Sequence, residues 1–251
     1  MLFNNRYLRR LLPLMAALVL PGFAGQEAAA QLHRDETVSF QQSAGIQTAM
    51  LRGKQAARYD FPANGNPYWT SAEYRLGDVV IDGNTYYDIP FNIDAVAQRL
   101  LVRVGDSQVA VAMPPERVRS IESDGRHYVG LGADAPLPEG FYEVIGEGPE
   151  RVFKHVAKVL NSSPDNVNGE TIGYKDPNYR HDVSRYFGLR RTYYFQDAEG
   201  NFRRVRGKGA LLRCLGPRRK AVRQALRSSG FDQQGADFDL FCRVVLERAA
   251  R

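Results

Sequence analysis

From Tyr68 onward, apolar and polar residues alternate with a period of two. Tyr87, Ile89, Phe91 and Ile93 alternate with Tyr86, Asp88, Pro90 and Asn92; Leu100, Val102 and Val104 alternate with Leu101 and Arg103; Val109, Val111 and Met113 alternate with Gln108, Ala110 and Ala112. Such a period buries one face and wets the other, the pattern of antiparallel strands. Turn chemistry agrees: Asp82-Gly83-Asn84, Gly105-Asp106 and Ser123-Asp124-Gly125 each sit between two runs. Further runs cover Val118 to Ile121, His127 to Leu131, Phe141 to Ile145 and Val152 to Val159. Residues 58–182 are therefore predicted to form a chain of hairpins. Pro90 cannot donate to a ladder, so its strand should be at an edge or kinked there. After a polar loop at Asn161 to Tyr179, strands are expected at Ser184 to Gln196 and Phe202 to Val205.

At Gly209 the period becomes helical. Leu211, Leu212 and Leu215 predict one short helix, and Gly216-Pro217 ends it and starts the next, carrying Val222, Ala225 and Leu226. Asp237 to Arg248 predicts the last helix, with Phe238, Phe241, Val244 and Val245 on one side. Strands followed by helices give an α+β class: an antiparallel β-meander, as a sandwich or a partly open barrel, followed by C-terminal helices. Residues 183–251 hold the basic strand pair and these helices.

The start of the chain reads as an export signal. Arg6, Arg9 and Arg10 precede a short apolar run, Leu11 to Leu20, and then Pro21-Gly22-Phe23-Ala24. The run is half the ~20 residues needed to span a bilayer, so residues 1–24 are expected to be a cleaved signal, followed by an extended lead-in over 25–57 with a helical turn near Ile46 to Leu51. No other stretch is long and apolar enough to be a transmembrane helix. The implied location is periplasmic or extracellular.

Export changes the reading of charge. The 251 residues carry 34 Lys+Arg and 28 Asp+Glu, with 43% hydrophobic residues, which excludes a disordered chain and a polytopic membrane protein. Removing residues 1–24 removes three arginines and no acid, so the net charge falls from +6 to +3, and nucleic acid is not an expected partner. The remaining charge is uneven: residues 31–182 carry 15 basic and 21 acidic side chains, and residues 183–251 carry 16 and 6. Arg203, Arg204, Arg206, Lys208, Arg218, Arg219, Lys220 and Arg223 are the candidate anion-binding residues, because arginine's planar fork suits phosphate and carboxylate. The expected partner is an anionic envelope component: a lipid headgroup, lipopolysaccharide or an acidic protein. The competing reading is that the basic helices dock on the acidic sheet of the same chain.

Two cysteines are too few for a disulfide scaffold. In an oxidising compartment Cys214 and Cys242 could pair; otherwise they are small buried apolar residues.

The stretches Asn64-Gly-Asn-Pro-Tyr-Trp69, Tyr86-Tyr-Asp-Ile-Pro-Phe-Asn-Ile-Asp94, Leu100-Leu-Val-Arg-Val104, Gly140-Phe-Tyr-Glu-Val-Ile145 and Leu211-Leu-Arg-Cys-Leu-Gly216 resemble a group of uncharacterised exported bacterial β-meander proteins. The resemblance covers about residues 60–248. It implies a periplasmic, envelope-associated setting and brings no activity, cofactor or catalytic residue. The chain departs from the group in having Cys214 within the Leu-rich helix and many arginines where lysines are usual.

No catalytic or metal constellation emerges. His33, His127, His155 and His181 include no pair at helical zinc spacing. His181-Asp182 reads as a solvated loop pair, Gly130-Leu-Gly132 as turn glycines, and Asp88, Asp94, Glu143 and Glu147 as residues of the wet strand faces. The many tyrosines and phenylalanines are expected on pleated surfaces, with a Tyr-lined groove for glycan or peptide as the functional alternative. The expected function is a non-enzymatic binding or structural protein of the cell envelope, without a cofactor. The alternatives are a small periplasmic hydrolase using strand carboxylates and His181, and a soluble-ligand carrier with a cavity in the sheet.

Overall fold

The structure is a computed structural model that describes residues 31, 34–36, 38–39, 53–103, 109–162 and 185–250. The export signal, the Gly105-Asp106 turn and His181-Asp182 lie outside the described residues. Two compact units are present, 1–36 and 37–251. Within the first, Gln31 and 34–36 are helical rather than extended, and Gln31 Nε2 donates to Asp35 Oδ1 one turn on at 3.1 Å.

The second unit is built on one antiparallel sheet of eleven strands: β1 (Lys54–Gln55), β2 (Arg75–Ile81), β3 (Asn84–Asp94), β4 (Arg99–Arg103), β5 (Ala110–Met113), β6 (Val118–Ser123), β7 (Arg126–Leu131), β8 (Gly140–Ile145), β9 (Arg151–Asn161), β10 (Tyr186–Gln196) and β11 (Phe202–Val205). Their order is β1-β5-β4-β3-β2-β6-β7-β8-β9-β10-β11. The alternation buries Ile89, Phe91, Ile93, Leu100, Val102, Val111 and Met113 in one cluster, but Val109 is exposed. Tyr86 rather than Tyr87 packs against the cluster, because the extra residue in β3 between Tyr86 and Ile89 reverses the faces there.

The link from β5 to β6 shapes this half of the sheet. Three strands lie between them in the order, so a flat sheet would hold them about 19 Å apart at ~4.8 Å per strand. Residues 114–117 join them, and Pro115–Arg117 form a 3-10 turn, which rises only ~2 Å per residue. The link is therefore too short for a flat sheet, and strands β2–β6 curl around a common core. The curl does not close into a barrel, because β5 pairs with β1 and β6 continues to β7. Gly130, read from sequence as a turn residue, lies within β7 at this crossing. A Cβ there would meet Pro115 O at 2.2 Å and Val118 O at 2.5 Å, so only glycine lets the link pass.

Pro90 kinks its strand locally. β4 pairs with β3 only from Phe91 to Asp94, so beside Pro90 the strand has β2 alone as neighbour. The register slips between Gly77 and Val79, Asp88 takes a φ of 54°, and its N–H donates to Asp78 Oδ1 at 3.1 Å.

Three helices follow the sheet: α1 (Lys208–Cys214), α2 (Arg219–Ser228) and α3 (Phe238–Ala249). Gly216, at a φ of 55°, ends α1, and Pro217 opens a 3-10 turn leading into α2. Asp237 caps α3, accepting from Leu240 N at 2.7 Å. Leu211, Leu212, Val222, Leu226, Phe241 and Val245 pack on Ile145, Val152, Phe195 and Val205 of the sheet. The helices are thus held mainly by apolar burial, worth roughly 1.5–3 kcal/mol per large side chain. Cys214 and Cys242 belong to this cluster as free thiols. No disulfide joins them, and burial raises both thiols above the ordinary range.

Candidate functional site

Six of the eight basic residues singled out by sequence fall into two groups, and Arg203 and Arg218 lie apart from both. Arg219, Lys220 and Arg223 come together on α2, where Arg227 joins them. Arg219, Arg223 and Arg227 follow one another at four-residue steps, so they form one stripe, while Val222 and Leu226 face the core. With Gly216 and Pro217 these four cations line a shallow concavity of about 560 Å³ that contains no acidic side chain. Among the described residues none of the four has a carboxylate partner. The buried Nε of Arg219 has no acceptor.

The helix is not optimised for its own stability. Its first turn holds no acidic residue, and no side chain caps its N-terminus. Cations there oppose the helix dipole, and like charges four residues apart cost about 0.2–0.5 kcal/mol each. Apolar packing of Val222 and Leu226 offsets this.

Arg204, Arg206 and Lys208 form a second group. With Arg191, Tyr193 and Phe238 they line a concavity of about 480 Å³ where β10, β11 and α1 meet. Lys208 is committed internally: Nζ donates to Gln233 O at 2.6 Å and Ala236 O at 2.5 Å, holding the loop before α3. Arg203 lies 3.9 Å from Asp197. Arg218 is also a tie within the fold, paired with Glu150 and donating to Ala249 O at 3.1 Å. Lys208 and Arg218 are thus structural, and Arg227 and Arg191 complete the two surfaces.

Two of the carboxylates expected on wet faces are buried. Asp94 and Glu143 are each 2% exposed, whereas Asp88 and Glu147 are exposed. Asp94 accepts from the N–H groups of Val96 and Ala97 at 2.8 and 2.9 Å, and from Tyr59 OH at 2.8 Å. Glu143 receives Lys154 Nζ at 3.0 Å, with Arg126 at 3.8 Å. Lys154 also reaches Asp239 of α3, which accepts from Tyr193 OH at 2.8 Å. Burial and that bond push the Tyr193 hydroxyl up. This network has every member paired and is a joint between sheet and helix. Among the described residues, no cluster of His, Cys, Asp and Glu could hold a metal ion.

His155 sits at a second joint. Gln98 Nε2 donates to Ala95 O at 2.8 Å and Val156 O at 3.0 Å, so its Oε1 is the acceptor facing Phe141 N at 3.1 Å and His155 Nε2 at 3.2 Å. Neutral His155 therefore carries its proton on Nε2. Burial, with Arg190 nearby, lowers its pKa.

A third surface has the character of the Tyr-lined groove that the sequence offered as an alternative without placing it. A groove of about 370 Å³ runs along the segment before β2 and the ends of β4 and β5. Tyr59, Phe61, Tyr68 and Tyr74 form half-buried walls, with Arg58, Asp60 and Arg103 among them. The Arg103 guanidinium lies 3.9 Å from the Tyr74 ring centre, and its buried Nε has no acceptor. The available signal was the run of five aromatic residues between Tyr59 and Tyr74. No protein-family model, curated protein or solved structure matches the chain.

Proposed function

We propose that this is an exported, non-catalytic protein that binds a polyanionic component of the cell envelope through its C-terminal helices. The observation that carries the reading is the α2 stripe: Arg219, Lys220, Arg223 and Arg227 share one surface with no acidic partner among the described residues. Guanidinium forks at four-residue steps suit the repeated phosphates of lipid headgroups or lipopolysaccharide. The buried carboxylates Asp94 and Glu143, each held in hydrogen bonds or ion pairs, weigh against the hydrolase alternative. The interior of the curled sheet is filled by side chains such as Phe91, Ile93 and Tyr128, which weighs against a carrier.

The test is co-sedimentation with vesicles containing phosphatidylglycerol or lipopolysaccharide, over a range of salt. The mature protein should be retained at low salt and released as salt rises. Changing Arg219, Lys220, Arg223 and Arg227 together to Glu should abolish retention while the thermal transition persists. No retention of the unaltered protein by either vesicle, or equal retention of the variant, refutes the reading.

A further inference from the structure

We infer that the groove between the 58–74 segment and the ends of β4 and β5 is a separate site for an acidic sugar, a pyranose ring bearing one carboxylate. Three features of the groove carry the inference, and none of them depends on the helices.

The first is charge. The groove is lined by Arg58 and Arg103 against Asp60, a balance of one positive charge. Neither arginine has a carboxylate partner among the described residues. A single planar anion matches that balance. A phosphate dianion would exceed it and face repulsion from Asp60.

The second is the state of Arg103. Its guanidinium carbon lies over the Tyr74 ring, 3.9 Å from the ring centre, which restricts the room in which the group can turn. Its buried Nε–H lacks an acceptor. A guanidinium held against a ring in this way, with no carboxylate partner among the described residues, suits a carboxylate as its acceptor.

The third is the walls. Tyr59, Phe61, Tyr68 and Tyr74 present half-buried rings. Tyr59 is held in place by its bond to Asp94 and its edge contact with Phe187, at 5.6 Å between centroids. Flat apolar faces interspersed with tyrosine hydroxyls and the carboxylate of Asp60 suit a ligand with C–H faces and a rim of hydroxyls. That is the surface of a sugar ring, and the carboxylate places it in the uronic-acid class.

The test uses the mature chain and monomeric galacturonate, one ring with one carboxylate, as probe, titrated by calorimetry, with its methyl ester as comparison. Binding of the acid and an affinity for the ester at least about tenfold weaker are expected, the loss of one charge-assisted contact. Arg103→Met should weaken the acid about tenfold or more, and Arg103→Lys should restore only part of that, since the fork is lost. Arg58→Gln, an exposed substitution that does not threaten folding, should weaken it less. The Glu variant of the α2 stripe should bind monomeric galacturonate as before. No heat with the acid, equal affinity for acid and ester, or unchanged affinity in both Arg103→Met and Arg58→Gln overturns the inference.

Discussion

Lys154 on β9 donates to Asp239 on α3 at 2.5 Å, while the same ammonium sits 3.0 Å from Glu143 on β8. Lys154 is 6% exposed and Glu143 2%, so two strands and a helix share one desolvated cation. Removing it strands a buried carboxylate. Lys154→Met should therefore destabilise the fold by about 3–5 kcal/mol in a denaturant titration. Adding Glu143→Gln should recover part of the loss, so the double variant falls short of the sum of the singles.

His155 gives an acid-side prediction. Its pKa is lowered in the folded state, so below the ordinary histidine value the unfolded chain binds more protons than the folded one. Stability should then fall as pH drops from about 6.5 towards the lowered folded value, and level off below it. His155→Gln should remove that limb from a plot of transition temperature against pH. An identical limb in the variant would assign it elsewhere.

Lys158 titrates in the opposite range. Burial, aided by Arg191, brings its pKa down to about 8, and its ammonium donates to Asn66 O at 2.9 Å. Between pH 8 and its ordinary value the unfolded chain holds the extra proton, so this group adds stability as pH rises through that window. A carbon-detected titration of the lysine side chains should show one resonance with a midpoint near pH 8, absent in Lys158→Met.

The α2 stripe predicts a trade between stability and binding. Arg219 lies in the first turn of an uncapped helix. Arg219→Glu should raise stability by about 0.3–1 kcal/mol by complementing the dipole and pairing with Arg223. The same change should weaken retention on anionic vesicles. A stabilised variant with undiminished retention would detach the stripe from the function.

The crossing of β7 over the 115–118 link admits no side chain. Gly130→Ala should cost about 1–3 kcal/mol or more, because its Cβ would press on the Pro115 and Val118 carbonyls, which cannot swing away. Gly125→Ala is the comparison: its φ of 66° carries backbone strain, but nothing lies within 4 Å.

The strands and helices were legible wherever burial is one-sided, since Ile89, Phe91 and Ile93 or Leu211 and Leu215 then declare a period. Strand β2 was harder to read, because a glycine, Gly77, takes an inward position while the apolar Leu76 and Val80 lie on the other face. The curl was not legible: Pro114-Pro115 announces a break but not that β6 returns to β2. Arg219, Lys220 and Arg223 were recognisable as a group because they are neighbours on one helix. Lys208 and Arg218 could not be set aside, because the Gln233 and Ala236 carbonyls and Glu150 that occupy them are distant in sequence. The groove joins residues 58–74, Arg103 and Phe187, a juxtaposition created only by folding.

The last strand of the sheet is four residues long and carries two exposed arginines, Arg203 and Arg204. A second copy laying its own rim there would find few amide groups to zip onto and two like charges opposing its approach. At this margin the protein guards itself against growing into ribbons, which matters for a fold built on one open eleven-stranded sheet that would otherwise lend itself to endless addition.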